Sequence, residues 1–307
     1  MRILHIVKTS SGAAWAALQA AELARLGVDV HVAVPSGEGG SMRLWQDAAA
    51  KIHVAALDFP ARSPWQLPSV YARARAVVAS VKPDIIHTHH VGPTLVIRQA
   101  LGRRHSTPRV FQVPGPLHLE HWLYRTWDLA CAGARDFWIA SSRCIRGHYF
   151  QAGVDRSRVF LSYYGFGPAG FSNVRSNRLR RQLGIPSSAF VAGNISYIYG
   201  PKRYLGQRSG LKRHEDLIAA LGLVLRQRSD AIGILAGGPW GRAARYQERL
   251  RRLAQRVGKG RILMPGHWSL SEVQAYWPEF DCAMHVPISE NCGGVVEPLV
   301  AGVPTIA

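Results

Sequence analysis

The sequence is poor in cysteine, in acidic residues and in long apolar runs, and each shortage excludes a class of protein. Its four cysteines form no C-x-x-C pair, so the sequence indicates neither a disulfide framework nor a zinc site. No secretory segment precedes them, and no apolar run approaches the roughly 20 residues that cross a bilayer. We therefore expect a cytoplasmic protein that crosses no membrane.

Acidic side chains are outnumbered, with 19 Asp and Glu against 38 Lys and Arg, which leaves a formal charge of +19 at pH 7. The excess spreads over both halves of the chain and forms no block, tail or recognised nucleic-acid motif. A solvated basic surface is one explanation. The other is attraction to anionic ligands and membrane headgroups, at about 1 kcal/mol for each basic residue near the surface. We expect no nucleic-acid partner and keep peripheral contact with the inner membrane face as an option.

Short apolar stretches alternate with helical patterns along the chain, which is typical of an α/β fold. The opening strand 3–7, a polar turn and the helix 13–26 form half of a Rossmann unit, in which Gly12 lets the backbone approach a ligand. The turn lacks G-x-G-x-x-G, so a dinucleotide site is not indicated. A stretch rich in Gly, Pro, Ser and Asn at 165–176 indicates a hinge. The predicted boundaries are domains at 1–170 and 186–307 with a linker at 171–185.

The hydrophobic pattern predicts the other elements from its period and length. Predicted helices are 70–81, 214–226 and 246–257. Predicted strands are 28–35, 84–88, 108–113, 137–141 and 159–162 in the first domain, and 190–195, 231–236, 262–265 and 281–286 in the second.

The stretch SENCGGVVEPLVAGVPTIA, residues 289–307, combines two carboxylates, a glycine pair and a helix start. Gly293 and Gly294 stand where the loop gives way to the helix, so backbone N–H groups there can point at a phosphate. Pro298 suits the first helical turn, where its missing N–H costs nothing. Glu290 and Glu297 bracket this turn, which predicts a site for a sugar nucleotide. The alternative is a pair of solvated carboxylates near a helix N-terminus.

This stretch resembles the signature of the retaining glycosyltransferases of family 4, which have the GT-B fold. Their signature is a pair of Glu residues ahead of an A-x-G-x-P turn, and residues 297–307 match its second half. Most members place seven residues between the two Glu, whereas six separate Glu290 and Glu297, and Ser289 takes the usual position of the first. A subgroup with the pattern S-E-N-x-G-G-x-x-E resembles this chain more closely.

The resemblance implies a nucleotide diphosphate sugar as co-substrate and a glycan, a lipid-linked molecule or a small molecule as acceptor. It implies no further cofactor and no metal. Glu290 would hold hexose hydroxyls, and Glu297 would accept hydrogen bonds from the ribose. Lys212 matches the family lysine that grips the diphosphate, and Lys202 or Arg203 is the hypothetical second cation. No D-x-D occurs, so cationic side chains take the place of a metal in this interpretation.

Two loops receive roles from the same resemblance. His267 lies in the loop that frames the nucleobase in the family. Many members have a sugar-contacting His directly before a glycine where this chain has Pro114. His118, in the loop that follows, is a candidate for that role, and a capping or surface histidine is the alternative.

Three histidines, His87, His89 and His90, lie at the carboxyl end of the strand 84–88. Alternation along a strand points His87 and His89 to one face. No carboxylate and no distant third ligand is evident, so the sequence does not favour a metal site. The resemblance places His89 near the interdomain cleft, on the acceptor side.

Family members continue for several dozen residues beyond the position of Ala307, so the resemblance implies a second domain that is incomplete at its C-terminus. The leading prediction is retaining, metal-independent hexosyl transfer, as in polysaccharide biosynthesis, on a GT-B scaffold of two Rossmann-like domains facing a cleft. A truncated, non-catalytic remnant would share every motif and is the alternative. A basic nucleic-acid-binding protein is a weaker one.

Overall fold

The computed structural model describes residues 1–48, 50–165, 170–171, 173–203, 206–289 and 293–307. The chain divides into two compact units, Met1–Phe166 and Gly167–Ala307. Each unit is built on one parallel sheet with helices packed against it. The predicted α/β class with two Rossmann-like domains is confirmed.

Seven strands form the sheet of the first unit: β1 (Arg2–Ile6), β2 (Asp29–Val34), β3 (Lys51–Val54), β4 (Ile85–Thr88), β5 (Arg109–Val113), β6 (Asp136–Ala140) and β7 (Val159–Leu161). They lie in the order β3-β2-β1-β4-β5-β6-β7, and the pairs are parallel. Strands buried on both faces are expected to be continuously apolar. After its first residue, Arg2, the interior strand β1 follows this rule except at His5, which is fully buried.

The helices of the first unit cover both faces of its sheet. They are α1 (Ala14–Arg25), α2 (Met42–Asp47), α3 (Leu67–Val81), α4 (Val91–Leu101), α5 (Leu117–Glu120), α6 (Trp122–Cys131) and α7 (Arg143–Gln151). On one face, Trp45 of α2 packs in a cluster with alanines of α1 and valines of β2. On the other face, Leu4 and Ile86 pack against valines of α3 and α4. The sheet is therefore packed between apolar clusters on both faces, which fix the positions of its strand ends.

The second unit has a five-stranded parallel sheet made of β8 (Phe190–Ile195), β9 (Ala231–Ala236), β10 (Ile262–Leu263), β11 (Cys282–Met284) and β12 (Thr305–Ile306). The order is β10-β9-β8-β11-β12. Its helices are α8 (Arg178–Leu183), α9 (His214–Gln227), α10 (Ala244–Gly258), α11 (Leu270–Tyr276) and α12 (Gly293–Val300). Because all strands run the same way, their carboxyl ends meet at one edge, where open α/β sheets bind ligands.

The strands and helices predicted above are confirmed, with ends that differ by at most three residues. The predictions missed β3 and several helices, namely α2, α4, α5, α6 and α11. The strand β3 is short and half-exposed, and α4 is buried on almost every side, so it shows no amphipathic stripe. The helix α8 lies inside the stretch 171–185 assigned to a linker, with Leu179 fully buried in the second unit.

Pro298 differs from its predicted place. The helix α12 begins at Gly293, so Pro298 lies inside the helix and not in its first turn. A proline there has no N–H for the carbonyl of Gly294, four residues earlier. The prediction was wrong because it assumed that the helix starts closer to the proline.

None of the helices in the described part of the chain combines the length and the apolarity that crossing a bilayer requires.

Candidate functional site

Lys212 and Glu297 are brought together at the carboxyl edge of the second sheet. Lys212 precedes α9, Glu297 lies in α12, and both side chains are half-buried. Burial lowers the pKa of Lys212 to about 8, and Glu297 acts against that shift. Burial also raises the pKa of Glu297, while Trp277 and Lys212 oppose the rise. Each group therefore stabilises the charge of the other in a place that water reaches poorly.

Trp277 fixes the orientation of Glu297. Its indole Nε1 donates a hydrogen bond to Glu297 Oε2 at 3.3 Å. Trp277 is fully buried between Phe280 and the core of the second unit. The carboxylate is thus held in one orientation, as a group that positions a ligand must be.

Two neutral histidines border Lys212, and sequence reasoning missed both. Burial lowers the pKa of His214 to about 4, with the Lys212 charge adding to the effect. Burial and the same lysine lower the pKa of His285 to about 4. Because both imidazoles stay neutral at pH 7, the only full positive charge among these three side chains belongs to Lys212. Single histidines show no sequence period. The one signal available was their position, since His214 is the first residue of α9 and His285 follows β11.

The start of α12 is packed closely against His285. A Cβ atom at Gly294 would lie 2.2 Å from His285 Cε1, so this position needs a glycine. Asn194 in β8 holds the ring in turn, since its Nδ2 donates to the Met284 carbonyl at 2.8 Å and lies 3.2 Å from His285 Nδ1. The glycine therefore sits against a fixed neutral ring at the end of β11.

A backbone contact joins the two loops that carry the charged pair. The amide of Ile288 donates to the carbonyl of Leu211 at 2.9 Å. Leu211 is the residue before Lys212, and Ile288 follows β11 on the path to α12. The loop before α9 and the loop after β11 are thereby held as one ligand-facing edge.

An aromatic cluster lies at the exits of β8, β9 and β10. Tyr197 and His267 are stacked, with ring centroids 5.5 Å apart and an angle of 19° between the rings. Trp240 meets Tyr197 edge-on at 5.0 Å. A Cβ at Gly238 would come within 3.1 Å of His267 Cβ, so the loops approach closely. Exposed stacked rings of this kind can take up a flat aromatic ligand.

The basic segment after β8 is anchored at its start. Ile198 forms two backbone hydrogen bonds with the loop after β9. Its amide donates to the Gly238 carbonyl at 2.9 Å, and its carbonyl accepts from the Trp240 amide at 2.9 Å. Lys202 is half-buried, and its backbone amide donates to the Gln207 side chain at 3.0 Å. Arg203 is exposed. The role of Lys202 or Arg203 as a second cation stays a prediction.

Part of the acidic motif lies outside the described residues. This applies to Glu290, assigned above to the hexose hydroxyls, and to its neighbours at 291 and 292. Gly293 is described as the first residue of α12. The roles predicted for Glu290 and Gly293 therefore stay predictions.

In the first unit, Gly12 lies in a loop that is tied to the one after β2. The hydroxyl of Ser41 donates to the Gly12 carbonyl at 2.6 Å, and the Ser10 hydroxyl donates to the Glu38 carbonyl at 2.6 Å. The next residue, Ala13, has a φ of 62° and a ψ of 35°. This left-handed conformation favours glycine, whereas this chain has an alanine.

His118 is placed in a buried network and not in an open loop. Its Nε2 lies 3.1 Å from the Tyr149 hydroxyl, which donates to Asp128 at 3.2 Å. Arg98 is bonded to Asp128 and donates to Asp136 at 2.9 Å. These contacts join α4, α6, α7 and β6, so they hold the fold together. A role for His118 toward a sugar stays a prediction.

His89 is fully buried beside two other histidines, His5 and His87. The inference from the sequence that no distant third ligand accompanies His87 and His89 was wrong, because His5 lies beside them. His5 of β1 lies opposite His87 of β4 in the parallel register. The sequence could not show this, because His5 and His87 meet only when β4 pairs beside β1.

Solved structures of several sugar-transferring and sugar-nucleotide proteins share this architecture. HepE of Anabaena in complex with UDP and glucose aligns with a TM-score of 0.78 over 99% of this chain and 80% of that chain, at 21% identity. Sucrose-phosphate synthase from Thermosynechococcus elongatus aligns with a TM-score of 0.76 over 100% and 81%, at 16% identity. The lipopolysaccharide outer core galactosyltransferase WaaB aligns at 0.63 over 99% and 80%, at 14% identity. The fold is therefore the GT-B fold.

The family follows from a separate comparison. A model of the glycosyl transferase 4-like domain matches residues 11–165, just over half of the chain. The chain belongs to the glycosyl transferase 4-like family, and its enzyme class is glycosyltransferase. No curated protein matches the chain.

Proposed function

We propose that the protein moves a hexose from a nucleotide diphosphate sugar to a glycan, lipid-linked or small-molecule acceptor, with retention of configuration and without a metal at the transfer site. The observation that carries the proposal is the pairing of Lys212 with Glu297 beside the start of α12. A cation, an oriented carboxylate and a helix N-terminus are the groups that a sugar nucleotide requires.

Lys212 and the start of α12 serve the leaving group. When the glycosidic bond to the diphosphate breaks, negative charge grows on the departing phosphate. A partly desolvated ammonium group stabilises this charge strongly, because nearby water does not screen it. The backbone amides at the start of α12 add the positive end of the helix dipole. Two sources of positive charge thus replace a bound divalent ion, which supports transfer without a metal.

Glu297 and the aromatic cluster serve the nucleoside. A carboxylate accepts the two ribose hydroxyls, and Trp277 at 3.3 Å keeps it in position for them. The stacked pair Tyr197 and His267 offers a flat surface for the base. HepE structures with UDP and with UDP-glucose support a uridine nucleotide as the first to test.

The acceptor and the hexose are assigned from the resemblance. Glu290 is the proposed partner of the hexose hydroxyls. Gly12, His89 and His118 are the proposed acceptor-side residues, and the contacts described above make Gly12 the most accessible of the three, because His89 and His118 are buried.

A basic surface on α10 supports a lipid-linked acceptor at the inner membrane face. The exposed residues of this helix are mostly arginines, while its apolar side packs in the core through Leu250 and Ala254. The exposed arginines are Arg245, Arg249, Arg251, Arg252 and Arg256. Anionic headgroups attract such a face. Flotation with vesicles of zwitterionic or anionic lipid tests this directly: we expect binding to the anionic vesicles alone, and equal binding to both would remove the proposal.

Transfer itself is tested by incubating the full chain with UDP-, GDP- and ADP-sugars and a panel of acceptors. We expect release of one nucleotide and a product whose anomeric proton shows the configuration of the donor. The reaction is repeated after exhaustive chelation, and we expect the rate to be unchanged. An inverted product would contradict retention, and loss of activity that Mg²⁺ or Mn²⁺ restores would contradict metal independence. Absence of nucleotide binding by the folded chain would favour the non-catalytic alternative.

A further inference from the structure

Three imidazole rings meet in the first unit. His5 is the fourth of the five residues of β1, His87 belongs to β4, and His89 is the residue after that strand. His89 is also one of the proposed acceptor-side residues. His5, His87 and His89 are 0%, 5% and 0% exposed. The rings stand 4.2 to 5.1 Å apart between centroids. Such a group of three comes from the strand register, because His5 faces His87 directly.

The nitrogen atoms of these rings are close enough to share one ligand. Each ring offers one nitrogen, and the three nitrogens lie within 4.8 Å of one another. His5 Nδ1 and His89 Nε2 are already 2.8 Å apart. A zinc ion with bonds of about 2.0–2.1 Å places tetrahedral nitrogen ligands roughly 3.3 Å apart. The separations in the cluster, 2.8 Å for one pair and at most 4.8 Å for the others, lie around that spacing.

Each ring also has a buried nitrogen that lacks a hydrogen-bond partner among the described residues. In His5 and His89 it is the nitrogen on the other side of the ring from the 2.8 Å contact, Nε2 and Nδ1 respectively, and in His87 it is Nε2. Leaving one buried polar atom unsatisfied costs about 1–3 kcal/mol, so packing alone does not explain three buried imidazoles in one place.

We propose that His5, His87 and His89 bind a divalent transition metal ion, with zinc as the first candidate. Imidazole nitrogen suits zinc, copper and nickel, whereas magnesium and calcium require oxygen ligands. Three protein ligands with a water molecule as the fourth form a common zinc geometry. The three histidines belong to the first unit, whereas Lys212 and Glu297, for which metal-free transfer chemistry is proposed, belong to the second.

The surroundings fit this assignment. Trp15 meets His89 edge-on at 5.2 Å, and Trp45 lies 6.0 Å from His5, so apolar rings enclose the cluster. An apolar shell limits the access of water and strengthens metal binding. The buried side chain of Gln112 lies beside His87. Its amide is a suitable outer partner for a metal-bound histidine.

A second histidine pair in the same unit provides a control. His31 and His53 are stacked like His5 and His89, with centroids 5.2 Å apart, an angle of 12° and a nitrogen contact of 2.9 Å. Asp29 lies 3.5 Å from His31 Nε2, on the side of the ring away from His53, and among the described residues it does not form a group of three close ligand atoms with the two rings. The pair therefore reproduces the two-ring contact without a third ligand atom beside it.

The test uses the full chain, stripped of metal by chelation and titrated with ZnCl₂ against a zinc-binding dye. We expect one tight zinc per chain, loss of more than about 100-fold in affinity for His5→Gln, and wild-type affinity for His53→Gln. Mg²⁺ should not compete. Equal zinc affinity in wild type and a folded His5→Gln variant, or no tight zinc in the folded wild type, would overturn the proposal.

X-ray absorption of the zinc-loaded wild type keeps the test independent of how the variants fold. We expect three imidazole nitrogens at about 2.0 Å around the zinc. A shell with sulfur, or with oxygen and fewer than three imidazoles, would place the ion elsewhere and contradict the proposal. Substitution of cobalt gives a second spectrum, in which intense visible bands indicate a tetrahedral site.

Discussion

The carboxyl edges of the two sheets carry different chemistry, although both units are parallel α/β sheets. In the first unit, β1 and β4 gather uncharged rings, since burial lowers the pKa of His5 and His89 well below the usual range and that of His87 to about 4. In the second unit, the exits of β8 and β11 gather a cation and a carboxylate, Lys212 and Glu297.

Both sheets provide the same kind of strand edge, so the difference in chemistry comes from the side chains that lie there. A diphosphate leaving group needs positive charge, and the second edge provides a half-buried one in Lys212. A neutral, enclosed cluster of imidazoles suits a transition metal and not a phosphate. Lys212 gives the second edge its positive charge, so its substitution is expected to have the largest effect.

The largest effect is expected from Lys212→Ala. Removing one preorganised group that stabilises transition-state charge typically lowers the rate by about 100- to 1,000-fold, and we expect kcat/KM to fall by this amount with the melting temperature little changed. Arg213→Ala is the matched control, because the adjacent cation pairs with Asp216 at the surface. Steady-state kinetics with the best donor checks both. Unchanged turnover in the Lys212 variant would remove this lysine from the mechanism.

Glu297→Gln is expected to act on binding of the sugar donor. A hydrogen bond to a charged group is worth about 1.5–3 kcal/mol, so we expect nucleotide affinity to fall by roughly 10- to 100-fold. The glutamine keeps the shape of the side chain and an oxygen for Trp277. Glu248→Gln, on the exposed face of α10, is the control. Equal affinities for the two variants would show that the carboxylate does not contact the nucleotide.

The pH dependence distinguishes the two edges, because burial lowers the pKa of Lys212 to about 8 and that of His87 to about 4. Lys212 is therefore charged below about pH 8 and loses its charge above it. We expect kcat/KM to fall above pH 8, approaching about tenfold for each further pH unit. In Lys212→Arg, whose guanidinium stays protonated, the residual activity should show no such fall. The same decline in both proteins would assign it to another group.

The smallest effect concerns the first edge. Ala13 holds a φ of 62°, a conformation that costs an alanine roughly 1–2 kcal/mol. Ala13→Gly removes this strain but adds backbone freedom to the unfolded chain, so we expect a gain of at most about 1 kcal/mol in the free energy of unfolding. Ala21→Gly, inside α1, should lose about 0.5–1 kcal/mol instead. Urea denaturation measures both, and losses of equal size would show that Ala13 is unstrained.

Much of the fold could be predicted from the sequence, because buried parallel strands are continuous apolar runs and their helices are amphipathic. The pair of Lys212 and Glu297 came from motif resemblance, and the structure places them together. His214, His285 and Trp277 could not be found, since single residues carry no period and meet only through tertiary packing. For the same reason His5 was not connected with His89, which follows a different strand.

The most direct test of the central claim is calorimetric titration of the full chain with UDP, GDP and ADP, repeated with Lys212→Ala, Glu297→Gln and the control Arg213→Ala. We predict saturable binding of one nucleotide, weakened by the first two substitutions and unchanged by the control. Binding that all three variants retain would place the nucleotide elsewhere. No binding by the folded wild type would contradict a donor site at the carboxyl edge of the second sheet.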